Sequence, residues 1–370
     1  VRTKPFDDLL TSFVEETGVP GAALAVTRGP RLVYARGCGL ADRERQRPVE
    51  PTSLFRIASL SKPITAVALL RFVEQGRLAL EEPIVPRLGL TDYADPRWEQ
   101  VTVQHLLQHT GGWDRDVSFD PMFRAVEIAE HLHTPPPAGP AEIIAYMLQQ
   151  PLDFDPGSRY AYSNFGYCLL GRVIEAVSGL DYGEAVRQEV LAPLGIRAMR
   201  LGRTLRAAAG EVRYYAPEAG TAPAVRGDIG REVPHPYGAW NLEAMDAHGG
   251  WIASAVELVR FSSAVVDGRH SPLLSPAAWD QMLAPPHGPA GREADGSTKT
   301  VYYGCGWNVR RLEEEGRRNF WHQGALPGTS TLLVCRHDGL SWAVLFNQRL
   351  GPDGRRLASL IDPRLHQAAE

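Results

Sequence analysis

Near the start of the chain apolar residues recur at helical spacing. Phe6, Leu9, Leu10, Phe13 and Val14 mark one face and Gly18 follows as a stop, which predicts an opening helix. Two β-rich runs, 22–27 and 31–36, are split by Gly29-Pro30 and predict a hairpin. From Ser59 a strongly apolar stretch through Ile64, Val67, Leu70 and Val73 predicts a buried helix that ends near Gly76. Further on, helical patterns alternate with Pro- and Gly-rich loops. The clearest is Leu169, Leu170, Val173, Ile174 and Val177, closed by Gly179. The stretch 211–240 has no period and predicts a long loop, a feature more often functional than idle. Ser254-Ala255-Val256-Glu257 is a capping box opening a helix to about Val266. Strands return at 301–311, 329–336 and 340–346, and a last helix is interrupted at Pro363.

This order predicts an α+β fold. Early and late strands share one antiparallel sheet flanked by the terminal helices, and the helical middle is an insertion beside it. The expected division is a discontinuous sheet domain, 1–58 with 246–370, and a mostly helical domain, 59–245, that carries active-site loops. No internal repeat or low-complexity segment is visible.

The chain has 370 residues, 44% hydrophobic and 22% charged, with a net charge of −4. These values exclude a disordered chain and a disulfide-stapled miniature scaffold. The balance of charge gives no basic stripe for nucleic acid, and no apolar run is long enough to span a membrane. Cys38, Cys168, Cys305 and Cys335 lie far apart and are expected to be small buried hydrophobes. His131-Leu132-His133 is too thin for a metal site, and no metal or cofactor is expected. No leader pattern opens the chain at Val1, so the compartment stays open between cytoplasmic and exported. Nothing indicates an oligomeric state.

Of 39 basic residues only Lys4, Lys62 and Lys299 are lysine. A buried lysine can lose its proton, which arginine cannot. Lys62 stands three residues after Ser59 at a helix start, so the two side chains share one face. A serine hydroxyl attacks well only when a nearby base takes its proton, and a desolvated lysine is such a base. Tyr162-Ser163-Asn164 adds a phenol that relays protons as a tyrosinate and an amide that holds both a lysine and a substrate carbonyl. In His322-Gln323-Gly324-Ala325, at or near the start of a late strand, Gly324 admits a substrate close to the backbone. The Ala325 N–H is a candidate oxyanion donor. Trp113, Tyr215, Tyr237 and Trp240 are candidate aromatic lining residues in loops. No G-x-S-x-G, H-E-x-x-H, P-loop or G-x-G-x-x-G occurs.

Taken in order, these three elements resemble the serine β-lactamase and penicillin-binding-protein superfamily, whose motifs are S-x-x-K, Y-x-N and K/H/W-x-G. The likeness is greatest to the branch of class C β-lactamases, D,D-peptidases and family VIII esterases. It extends to Val19-Pro20-Gly21-Ala22-Ala23, to 103–112, to Gly249-Gly250-Trp251-Ile252-Ala253-Ser254 and to 162–196. The resemblance implies a covalent acyl-enzyme on Ser59, with Lys62 and Tyr162 as proton acceptors and Tyr162 as the base for hydrolytic water. It implies Asn164 as a substrate-positioning group and the N–H groups of Ser59 and Ala325 as the oxyanion hole. His322 and Gln323 stand where many β-lactamases have lysine and Thr or Ser to hold a substrate carboxylate. A neutral histidine removes that fixed charge. An esterase is therefore expected before a D,D-peptidase, a weak β-lactamase or an acyltransferase, on a small-molecule ester, amide or lactam. A non-catalytic ligand-binding relative is the remaining alternative, opposed by the intact Ser59, Lys62, Tyr162 and Asn164 set.

Overall fold

The computed structural model describes residues 2–266, 270–313 and 316–370. Its main sheet has eight strands: β1 (Gly21–Arg28), β2 (Arg31–Asp42), β3 (Arg47–Pro48), β4 (Val301–Tyr303), β5 (Asn308–Arg311), β6 (Arg318–Leu326), β7 (Thr329–Cys335) and β8 (Leu340–Phe346). The order across the sheet is β3-β2-β1-β8-β7-β6-β5-β4 and every pairing is antiparallel. The first and last stretches of the chain thus meet in the middle, with Ala25 opposite Ala343.

Strands β1, β7 and β8 are buried on both faces, so their sequences run apolar without alternation. Ala22, Leu24 and Val26 face Phe6, Leu10 and Phe13 of α1 (Lys4–Thr17) and Leu357, Ile361 and Leu365 of the last helix. Ala23 and Ala25 face the opposite core, with α2 (Ser61–Glu74), α3 (Asn164–Ser178) and α4 (Ala255–Val266). Helix α2 is buried nearly all round, which its continuous apolar sequence requires.

Three details depart from the sequence pattern. The run 301–311 is two strands rather than one, because Gly304-Cys305-Gly306 turns the chain. Gly306 takes φ +83°, where a side chain would collide with Ala66 of α2. His322 stands fifth in the nine-residue β6 instead of at its start. The last helix, α5 (Leu357–Ala368), runs through Pro363. Fully buried Ile361 and Leu365 on either side hold it against the sheet despite the missing N–H. Cys168, Cys305 and Cys335 are buried, and the four cysteines are unpaired. Among the described residues no helix is long and apolar enough to cross a membrane.

Candidate active site

The segment Phe55–Arg56 pairs with Trp251–Ala253 and leads into a single 3₁₀ turn, Ala58–Leu60, before α2 begins. Ala58 takes φ +48°. A left-handed residue with a side chain costs on the order of 1–2 kcal/mol, and neighbours must hold it. Here Ser61 Oγ donates to Ala58 O at 2.7 Å, Thr331 Oγ1 to Ile57 O at 2.9 Å and Thr329 Oγ1 to Arg56 O at 2.9 Å. Strand β7 therefore grips the turn that presents Ser59. Ser61, the neighbouring hydroxyl, is fully buried and already committed to Ala58.

One turn on, Lys62 is wholly inaccessible to solvent. Its Nζ lies 2.8 Å from Asn164 Oδ1, 3.1 Å from His248 O and 3.2 Å from Ser59 Oγ. Two of these partners, an amide oxygen and a backbone carbonyl, can only accept. Burial holds the Lys62 amine well below the usual lysine range. A neutral amine has two N–H bonds and one lone pair. With the two carbonyls taking its N–H bonds, the neutral form can turn its lone pair to the Ser59 hydroxyl. The His248 carbonyl is fixed by the segment Asp246–Gly249, where Thr65 Oγ1 of α2 donates to Ala247 O at 2.6 Å.

Asn164 opens α3, with Ser163 as its N-cap. Its Nδ2 donates to Asp120 Oδ2 at 2.7 Å. Burial raises the Asp120 carboxyl, and the Asn164 bond opposes that rise. The ring of Tyr162 packs under the Lys62 amine, 4.6 Å from Nζ to the centroid. Burial pushes the Tyr162 phenol well above its ordinary range, and its hydrogen bond with Ser59 pulls the other way. Burial thus works against the tyrosinate form of Tyr162 and against the ammonium form of Lys62 alike.

Strand β6 forms the facing wall. A Cβ at Gly324 would sit 2.3 Å from Thr331 Oγ1, 2.4 Å from Ile57 O and 3.0 Å from Ser59 N, so only glycine lets the strand approach the turn. His322 Nε2 lies 2.8 Å from Tyr303 Oη, and Nδ1 2.7 Å from Gln323 O. Since the carbonyl only accepts, Nδ1 carries the proton and Nε2 accepts from the phenol. Burial lowers the His322 imidazole to about 3. It is a neutral, structurally bonded group.

The cleft between these walls has a volume of about 410 Å³. It is lined by Ser59, Tyr162, Asn164, His322, Gln323 and Ala325 together with Arg115, Tyr160, His248, Tyr303, Trp321 and Arg356. Sequence-predicted Trp113, Tyr215, Tyr237 and Trp240 are not among its lining residues. Trp113 packs against Trp98 and Phe165, at 4.9 and 5.0 Å between ring centroids. Trp240 lies against His235. The Tyr215 hydroxyl accepts from Arg43 N–H, and the Tyr237 hydroxyl from Tyr214 N–H. The rings of Tyr214 and Tyr237 lie 4.7 and 5.8 Å from Arg56 Cζ, and Arg56 pairs with buried Glu211 at 3.6 Å. The segment 211–240, which folds a short antiparallel ribbon of Thr221–Pro223 and Glu232–Pro234 instead of an unbroken loop, thus braces the segment leading to Ser59 rather than furnishing the cleft.

The sequence profile of the Beta-lactamase family matches residues 6–365. The chain belongs to the Beta-lactamase family. Within this serine hydrolase superfamily it is 34% identical over 251 residues to esterase EstB of Burkholderia gladioli, covering 63% of this chain and 59% of EstB. It is 26% identical over 339 residues to penicillin-binding protein 4* of Bacillus subtilis (strain 168), covering 90% of this chain and 69% of that protein. The fold is shared with the D-amino acid amidase of Ochrobactrum anthropi SV3, at a TM-score of 0.76 and 22% identity, over 99% of this chain and 98% of the amidase. The match to EstB therefore spans less than two thirds of that esterase's length.

Several site residues of this Beta-lactamase family chain carry no sequence signature. Asp120 precedes Pro121 and caps a short 3₁₀ turn, a pattern that announces only a helix start. His248 contributes its backbone carbonyl, to which side-chain identity gives no clue. Arg115 and Tyr303 reach the cleft from segments remote in sequence from Ser59.

Proposed function

We propose that the chain hydrolyses small carboxylic esters through an acyl-enzyme on Ser59. The observation that carries this reading is the fully buried Lys62 amine, whose Nζ lies 3.2 Å from Ser59 Oγ and within hydrogen-bond reach of the Asn164 and His248 carbonyl oxygens. Lys62 takes the hydroxyl proton as Ser59 Oγ bonds to the ester carbonyl carbon, and the carbonyl oxygen gains negative charge. The N–H groups of Ser59 and Ala325 are assigned to that oxygen, which Gly324 allows to sit close to both. The bond to the alkoxy group then breaks, and the proton on Lys62 passes through the Tyr162 hydroxyl to the departing alcohol. A water repeats the sequence: its proton goes to the again-neutral Lys62, its oxygen bonds to the acyl carbon, and Ser59 Oγ leaves and recovers the proton. Asn164 holds Lys62 with its oxygen and has one further N–H for the substrate.

The neutral His322 supports esters over β-lactams, because strand β6 offers no fixed cation to a substrate carboxylate. Turnover of a p-nitrophenyl ester by wild type and Ser59→Ala tests the reading, combined with intact-protein mass measurement after brief exposure to ester. Loss of turnover in the variant and an acyl mass on the wild-type protein alone are expected. Wild-type rates in Ser59→Ala would refute the assignment. Faster acylation by a penicillin than by any ester would favour the penicillin-binding reading instead.

A further inference from the structure

The cleft is electrostatically one-sided. Among the described residues its lining includes two guanidinium groups, Arg115 and Arg356, and no Asp or Glu. Neither guanidinium has a hydrogen-bond or ion-pair partner among those residues, although the chain is rich in such pairs. Acids near Arg115 are otherwise engaged: Asp114 pairs with Arg159 at 2.7 Å, and Asp120 accepts from Asn164. Arg115 nevertheless has a defined place, its Cζ 4.9 Å from the centroid of the Tyr162 ring, whose hydroxyl bonds to Ser59. Stacking on an aromatic face leaves the edge N–H groups of a guanidinium available to a planar anion. The cation absent from strand β6 is thus present on the Tyr162 side of the nucleophile.

We infer that the preferred substrate is an ester bearing a carboxylate, which Arg115 binds beside Tyr162. The inference rests on the acyl-enzyme reading and adds the charge class of the substrate. It also sets this chain against amino-acid amides with a free ammonium group. Such a group would enter a cleft with two unpaired cations and no acid on its lining.

Three p-nitrophenyl esters of similar length separate the possibilities: the half-ester of adipate (anionic), hexanoate (neutral) and ε-aminocaproate (cationic). For wild type, kcat/KM is expected to fall in that order. The adipate-to-hexanoate ratio should be about tenfold or more, the range of a charge-assisted bidentate contact. The ratio should shrink with added salt. In Arg115→Gln it should collapse towards one, mostly through KM. Because each variant is judged by its own ratio, an effect of Arg115 on Tyr162 cancels. Equal rates for the three esters, a preserved ratio in Arg115→Gln, or a ratio lost only in Arg356→Gln would overturn the inference. Hexanoate hydrolysis that disappears in Ser59→Ala would leave the acyl-enzyme reading standing in each of those cases.

Discussion

The amide nitrogen of Asn164 lies 2.7 Å from Asp120 Oδ2, and that bond decides which end of the amide faces Lys62. A carboxylate cannot donate, so Nδ2 must point at Asp120 and Oδ1 at the amine. Asp120 is in this sense a positioning residue. In Asp120→Ala the amide is released, and kcat should fall about 10–100-fold, the scale of a small misplacement at a reacting centre. Asp120→Asn offers an acceptor again and should recover part of the loss. The negative charge of Asp120 also holds the Lys62 pKa up against burial. Removing it should move the acid limb of the kcat/KM profile to lower pH in both variants. A profile that keeps its acid limb in place would leave Asp120 as a packing residue only.

Lys62→Arg introduces a fixed cation and supplies no lone pair at neutral pH. Turnover should drop by about 10²–10⁴-fold, the usual contribution of a positioned base. Stopped reactions examined by mass should show unmodified Ser59, placing the loss at acylation.

Gly324→Ala tests the contact between β6 and the Ser59 turn. The added methyl collides with Ile57 O and Thr331 Oγ1, both held by the backbone or a strand. A loss of about 1–3 kcal/mol in stability is expected, with a larger proportional loss of activity. Thermal melting and ester turnover on the same preparation separate the two effects.

His322, His109 and His248 are buried with their imidazoles held below the ordinary range, His322 at about 3. The unfolded chain binds protons on these rings below about pH 6.5, where the native state does not. The stability their neutral burial supports is therefore whole above pH 6.5 and is lost as pH falls below it, for His322 down to about 3. For His322 alone the loss is about 2 kcal/mol at pH 5. Chemical denaturation at pH 7 and pH 5 should show a smaller difference in His322→Gln than in wild type.

Glu211→Ala leaves Arg56 buried between two tyrosine rings without its carboxylate. Breaking a buried pair in this way costs about 3–5 kcal/mol. Denaturant midpoints should fall accordingly, although Glu211 lies outside the cleft lining.

The sequence shows its chemistry where function depends on side-chain type at fixed local spacing. Ser59 and Lys62 are one helical turn apart, and Tyr162 and Asn164 are two residues apart, so their partnership is visible before any tertiary contact. The strands of the sheet centre are equally plain, since burial on both faces leaves long apolar runs. The hidden parts depend on tertiary approach. Ala58 gives no hint of its positive φ, which neighbouring hydroxyls impose. Asp120 matters through one bond to a residue far along the chain. The aromatic residues misled because a loop tyrosine facing substrate and one bracing an arginine have the same local sequence.

The pairing of Ala25 with Ala343 has a consequence for biosynthesis. A nascent chain that has already emitted Ser59, Lys62 and Asn164 still lacks β7, which grips the nucleophile turn, β6, which walls the cleft, and β8, which joins them to β1. Until those arrive, β1 has an open edge towards the place that β8 will fill, and loop closure across most of the polypeptide is required to cover it. Catalytic competence should consequently appear only once β8 has emerged, and ribosome-stalled or prematurely terminated products that lack it should be inert and prone to association.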